Sequence, residues 1–127
     1  MRFVLVAALS MLAMSCHAEA DCEFPEDMCA AQVALELADA QMAETLGAVQ
    51  TKIENNGFDD FMVEPGDIAE SLELGQSAWA NYRDEHCAAV FRLMSGGTSR
   101  HVDELDCMTE LTKSRTVQLR ELYDVAP

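Results

Sequence analysis

The sequence predicts an all-α fold, an antiparallel three-helix bundle stapled by two disulfides. Three observations carry that prediction. Apolar residues recur at steps of three and four along three separate stretches, as they do on one face of a helix. Breaks rich in Asn, Gly, Pro and Ser separate those stretches. No stretch alternates with the period of two that a half-buried strand requires.

The chain opens with Met1-Arg2 and then an apolar run over residues 3–14, followed by small residues. This is the layout of a secretory signal, and it is too short to span a bilayer, which takes roughly 20 apolar residues. Ala18-Glu19-Ala20 fits an Ala-x-Ala cleavage site, so residues 1–20 are expected to be removed and the mature domain to cover residues 21–127. The competing reading makes Cys16 a lipid-modified cysteine, although the residue at Ala13 is not the usual Leu. Either way Cys16 leaves the folding problem. Cys22, Cys29, Cys87 and Cys107 remain, an even number suited to two disulfides in an oxidising compartment. A zinc site would need close-spaced pairs of the Cys-x-x-Cys kind, and there are none.

The first helix is expected over residues 25–53, where Leu35, Ala38, Met42, Leu46, Val49 and Ile53 share a face. Asn55-Asn56-Gly57 ends it, since Asn and Gly tolerate the left-handed conformation of helix ends. Residues 58–66 carry neither period and close on Pro65-Gly66, a loop whose Phe58, Phe61, Met62 and Val63 are expected to fold back on the bundle. Asp67 is a candidate N-cap for a second helix, with Ile68, Leu72, Gly75, Trp79, Tyr82, His86, Val90 and Leu93 along one side. After a break at residues 95–99, a third helix is expected over residues 102–123, with Leu105, Met108, Leu111 or Thr112, Arg115, Leu119 and Leu122 inward. The loops between antiparallel neighbours would be roughly ten residues long. In such an up-down-up bundle all four cysteines lie at one end. Two disulfides are therefore expected to clamp that end, leaving the end at residues 55–65 the looser, although three pairings exist and spacing does not choose among them.

Charge narrows the function. The chain carries 8 Lys and Arg against 23 Asp and Glu, a formal net charge of −15, which excludes an unaided nucleic-acid binder. Residues 21–73 hold 14 acids and one base, Lys52, a balance of −13, while residues 74–127 come to only −2. The plain consequence is solubility, and the sharper one is a face suited to a cationic protein partner.

One motif goes further. The second helix reads Leu72-x-x-x-Gln76-x-Ala78-Trp79-x-x-Tyr82-Arg83-Asp84-x-x-Cys87, followed by Gly96-Gly97-Thr98, Cys107 and Thr112-x-x-Arg115-x-x-x-Leu119. This resembles the LprI-like domain, a family named after a bacterial lipoprotein that inhibits lysozyme. Upstream, Cys22 and Cys29 match the N-terminal cysteines of that family and Ala38-Asp39 its Ala-Asp step. The chain departs where the family commonly has Leu-Asn and then an aromatic, holding Met42-Ala43 and Leu46, and at Gly75, where Ala is commoner. The resemblance implies an exported, all-helical inhibitor that binds lysozyme, a basic secreted muramidase, in the cell envelope. The alternative is an envelope protein of the same fold with a different protein partner.

Within the motif, Trp79 and Arg83 are four residues apart on one helical face, where a guanidinium can stack on an indole. The structural reading is favoured: Trp79 anchors the core and Arg83 snorkels across it to an acid on another helix, Asp39, with Arg115 competing for the same carboxylate. Gln76 and Tyr82 complete this candidate structural motif. The residues Gly96, Gly97, Thr98, Arg100 and His101 form a candidate partner loop at the braced end, because a preorganised loop loses less entropy on entering an enzyme cleft. No catalytic residue, cofactor or metal is expected. His86 and Cys87 point about 100° apart on a helix and Cys87 is wanted for a disulfide. The acids around Asp59, Asp60, Glu64, Asp67 and Glu70 lack the alternate spacing of a calcium loop.

Overall fold

The computed structural model describes residues 22–126; the expected signal segment and the candidate acylation site at Cys16 lie outside them. Three helices follow in order: α1 over Glu26–Glu54, α2 over Pro65–Leu93 and α3 over Arg100–Tyr123, with a single 3-10 turn at Asp59–Phe61. Among the described residues there is no strand. Cross-links give the direction of each helix. Asp39 meets Arg83 and Met42 meets Gln76, so α1 and α2 are antiparallel. Thr45 meets Arg120 and Lys52 meets Asp124, so α1 and α3 are parallel. α3 is the shared wall, packed extensively on α1 and also on α2, whereas the α1 and α2 backbones approach each other closely at few positions and meet mainly through side chains.

Helix boundaries follow local chemistry. Glu26 and Asp27 sit in the first turn of α1 and Lys52 in its last, each favourable to the helix dipole. Asn56 takes the left-handed conformation, and Gly57 N–H and Asn56 N–H donate to the Lys52 and Ile53 carbonyls, a Schellman closure. Gly57 is required by space rather than by its φ, because an added Cβ would collide with the Lys52 side chain and carbonyl oxygen. α2 begins two residues before the expected cap: Glu64 is the N-cap and Pro65, with its preset φ and missing N–H, takes the first helical position in place of Asp67. α3 also begins early, at Arg100.

The core is thin and strongly polar. Leu119, Val49, Thr112 and Cys87 are fully buried, and Thr45, Thr109 and Thr116 are nearly so. Thr45, Thr109 and Thr116 satisfy their hydroxyls by donating to the carbonyls of Gln41, Leu105 and Thr112 one turn back. Thr109, Thr112 and Thr116 therefore form the inward stripe of α3 with Leu119, and Leu122 faces solvent. In α2 the expected stripe is turned: Gly75, Tyr82, His86 and Leu93 are exposed, while Gln76, Arg83 and the buried Cys87 face inward with half-buried Ile68, Leu72 and Trp79. The polar side chains of α2 and α3 carry the inter-helix contacts, so the apolar pattern alone misplaced the face.

The disulfides correct one expectation. Cys87–Cys107 joins α2 to α3, but Cys22–Cys29 closes a local loop at the start of α1. The four cysteines lie toward one end, yet no covalent clamp holds all three helices there, because α1 spends its cysteine on its own N-terminal segment.

Candidate functional site

A ladder of polar rungs crosses the interior, and the motif residues form its upper half. Nearest the Cys87–Cys107 bond, Arg83 Nη1 donates to Asp39 Oδ1 at 3.0 Å and to Thr112 Oγ1 at 3.1 Å, and Thr112 Oγ1 donates to the same carboxylate oxygen at 3.4 Å. One guanidinium thus ties α2 to both other helices. Arg83 Nε binds its neighbour Asp84 at 3.0 Å, and its guanidinium carbon lies 5.3 Å from the centre of the Trp79 ring. The Arg83 side chain is only 17% exposed and that of Asp39 45%, so the pair is partly screened by solvent.

The next rung corrects the expected competition for Asp39. Arg115 Nε donates to Gln76 Oε1 at 3.1 Å, and Gln76 Nε2 reaches the Met42 sulfur at 3.4 Å. Met42, one of the departures from the family pattern, is therefore a member of the ladder. Gly75, another departure, leaves ordinary room for a methyl group, whose nearest neighbour would be Arg115 Nη2 at 3.9 Å. Below, Arg120 Nε donates to Thr45 Oγ1 at 3.0 Å. Lys52 Nζ closes the ladder by donating to the Tyr123 and Asp124 carbonyls, both at 2.9 Å, which caps the C-terminus of α3. No buried side-chain nitrogen or oxygen lacks a partner among the described residues. Tyr82 stands apart from this network, half exposed and stacked on His86 with ring centroids 5.3 Å apart.

The candidate partner loop is smaller than expected. Gly96, Gly97 and Thr98 are exposed in the link between α2 and α3, but Arg100 and His101 belong to the first turn of α3. Both pack on Phe91, Arg100 with its guanidinium carbon 4.9 Å from the ring centre and His101 with centroids 4.9 Å apart. The loop is thus pinned at its base by Phe91, and Ser99 Oγ donates to Asp103 Oδ2 at 2.8 Å. Leu93 and Met94 beside it are exposed.

At the opposite end only Phe58 folds back as expected, edge-on to Tyr123 with centroids 6.1 Å apart. Phe61, Met62 and Val63 are exposed, Met62 almost completely at 97%. Met62 adopts a left-handed conformation at φ 52°. Because α1 and α2 diverge, an open groove of about 560 Å³ lies between them.

Three features escaped the sequence reading: the threonine stripe of α3 apart from Thr112, the Thr45–Arg120 rung and the groove. The threonines are spaced three and four apart, which is the signal of a helical face, but a polar one.

These features define a small, disulfide-bonded, all-helical domain whose most conspicuous polar residues hold its helices together. The chain belongs to the family described as Lysozyme inhibitor LprI, whose pattern it matches over residues 16–119. That is an inhibitor family rather than a family of enzymes. The chain is also 30% identical over 132 residues to an uncharacterized protein of Rhizobium meliloti (strain 1021), a match covering 94% of each chain. No solved structure matches it. Two disulfides fit a compartment outside the reducing cytosol, and no described helix is long and apolar enough to cross a membrane.

Proposed function

We propose that the protein is exported to the cell envelope and there binds and inhibits a basic muramidase of the lysozyme class. Membership of the lysozyme-inhibitor family over residues 16–119 carries this reading. The charge distribution supports it, since a balance of −13 over residues 21–73 would draw in a cationic enzyme and raise its association rate.

The element assigned to the enzyme cleft is the link between α2 and α3. Gly96, Gly97 and Thr98 are exposed at its tip, Arg92 and Arg100 flank it, and Cys87–Cys107 braces the helices that carry it. A glycosidase cleft holds a pair of carboxylates, so a narrow tip flanked by arginines suits it while the acidic side of the bundle faces the basic exterior. Bracing lowers the entropy lost on docking.

The test is lysis of bacterial cell walls by a panel of lysozymes, with oxidised protein covering residues 21–127 and an unrelated protein of similar negative charge as control. Near-stoichiometric inhibition that survives about 0.15 M salt, where charge attraction is screened beyond about 8 Å, is expected. Inhibition no stronger than the acidic control would instead favour an envelope protein with a different partner.

A further inference from the structure

The groove between α1 and α2 is a large, mostly apolar concavity whose charged lining residues are all acidic. Leu46 and Ile53 of α1 face Ala69 and Leu72 of α2 across it, with Glu54 and Glu73 on its two rims. Both glutamates are exposed and neither takes part in an ion pair among the described residues. From residue 54 to residue 73 the chain holds seven acids and no base. Of the neighbouring cations, Lys52 is turned toward the end of α3, and Arg115 of α3 is engaged in donating to Gln76, which lines the groove.

The shape and chemistry restrict the occupant. Both walls are helices, whose backbone N–H and C=O groups are already bonded, so an extended chain would find no backbone partners there. A helix brings its own backbone bonds and needs only an apolar face, which is the helix-in-groove mode of recognition. Along α2 the groove runs from Ala69 to Ala80. At 1.5 Å per residue that is about 16 Å, or about three helical turns. Acids on both rims call for basic side chains on both flanks of the apolar face. They also exclude nucleic acid and anionic lipid, and a net charge of −15 disfavours a second copy of the chain. A helix inside a folded protein already buries its apolar face in its own core. The occupant is then a free peptide that becomes helical on docking.

We infer that the α1–α2 groove binds free cationic amphipathic peptides as a short helix, completing a four-helix arrangement in which the peptide apolar face covers Leu46, Ile53 and Leu72 and its basic flanks meet Glu54 and Glu73. This is a binding activity separate from the muramidase reading and does not rest on it.

The probe is a synthetic Leu/Lys peptide of about 15 residues with Leu at helical spacing, compared with a scrambled peptide of identical composition. Binding to oxidised protein at about 0.15 M salt is followed by fluorescence anisotropy, and helix formation by circular dichroism. The amphipathic peptide is expected to bind at least tenfold more tightly than the scrambled one and to gain helix on binding. The double variant E54K/E73K should weaken it at least tenfold, and so should A69W, which fills the groove mouth from an exposed position. Both changes are on the surface, and unchanged thermal unfolding confirms that the fold is retained; the Gly97→Trp variant, at the opposite end, should bind the peptide like the parent. Equal affinity for the two peptides would reduce the effect to acidic attraction and overturn the proposal. Binding unaffected by A69W and E54K/E73K would overturn it as well, by placing the peptide elsewhere. So would a groove-dependent dimer in sedimentation without peptide, which would give the groove to a second copy.

Discussion

At the end of the bundle where α2 passes into α3, a buried Cys87 is bonded to Cys107, and the Arg83–Asp39–Thr112 rung lies between that bond and the middle of the bundle. At the other end, where α1 passes into α2, the helices are held by Lys52 on the last carbonyls of α3 and by Phe58 against Tyr123. The first end combines a covalent link with a charge-assisted bridge joining three helices. The second has no disulfide and relies on the Lys52 ammonium group, the ring of Phe58 and the apolar packing of Val49, Ile53 and Leu119. The disulfide braces the two helices that carry the α2–α3 loop, while toward the other end an open groove lies between α1 and α2.

Removing the covalent link should produce the largest effect. Cys87 and Cys107 are 20 residues apart in sequence, and opening a loop of that size in the unfolded chain costs about 3 kcal/mol of stability. C87A/C107A is expected to lose that much in denaturant unfolding, a large share of the total for a domain this small. C22A/C29A, which opens a loop of only seven residues and frees the segment leading into α1, should lose less, about 2 kcal/mol at most. Equal losses from the two pairs would mean that the start of α1 is as important to the cooperative unit as the α2–α3 link.

The next largest effect belongs to the rung. R83A removes the donor to Asp39 and Thr112 and the stack on Trp79, and it should cost about 2 kcal/mol, between the values for exposed and buried pairs because Asp39 is partly solvated. T112V, which keeps the volume and deletes the hydroxyl, should cost about 1 kcal/mol. A double-mutant cycle with D39A would show coupling among the three positions. R83A with unchanged thermal stability but abolished partner binding would turn the rung from a brace into a contact surface.

The unequal ends also explain what could be read in advance. Helix number, order and approximate limits were legible, because Asn55-Asn56-Gly57, Pro65-Gly66 and Gly96-Gly97 interrupt long helical periods. The inward faces were legible only where they are apolar, as in α1, where Ala38, Met42, Val49 and Ile53 are buried. In α3 the buried stripe is Thr109, Thr112 and Thr116, and a hydroxyl that bonds its own preceding turn can enter a core without an apolar signature. Arg83 and Gln76 drew attention through the family motif, yet hydropathy alone would have faced them outward. Disulfide pairing was not legible, since three-dimensional proximity decides it and all four cysteines lie toward one end. The exposure of Phe61, Met62 and Val63 was not legible either, since a 3-10 turn and a left-handed residue at Met62 shape this loop and residue type discloses neither.

At the weaker end, K52M should cost about 1 kcal/mol, since it keeps the stem of the side chain but leaves the Tyr123 and Asp124 carbonyls to water. Hydrogen exchange should report the loss locally. The Val125 amide, bonded to the Arg120 carbonyl, should exchange faster while amides beside Cys107 stay protected. Faster exchange at both ends together would mean that the bundle opens as one unit.

The smallest change should have the opposite sign. Met62 sits at φ 52°, where an L-residue with a Cβ is strained and glycine is not, and its side chain is 97% exposed, so M62G loses almost no packing. Relief of strain competes with the greater freedom of glycine in the unfolded chain, and a net gain of about 0.5 kcal/mol is expected. A rise in thermal midpoint would identify Met62 as a residue kept at some cost to stability, as an exposed apolar side chain on a strained backbone should be. A fall would show that this side chain contributes packing at the loose end, and the contrast between the two ends would be correspondingly smaller.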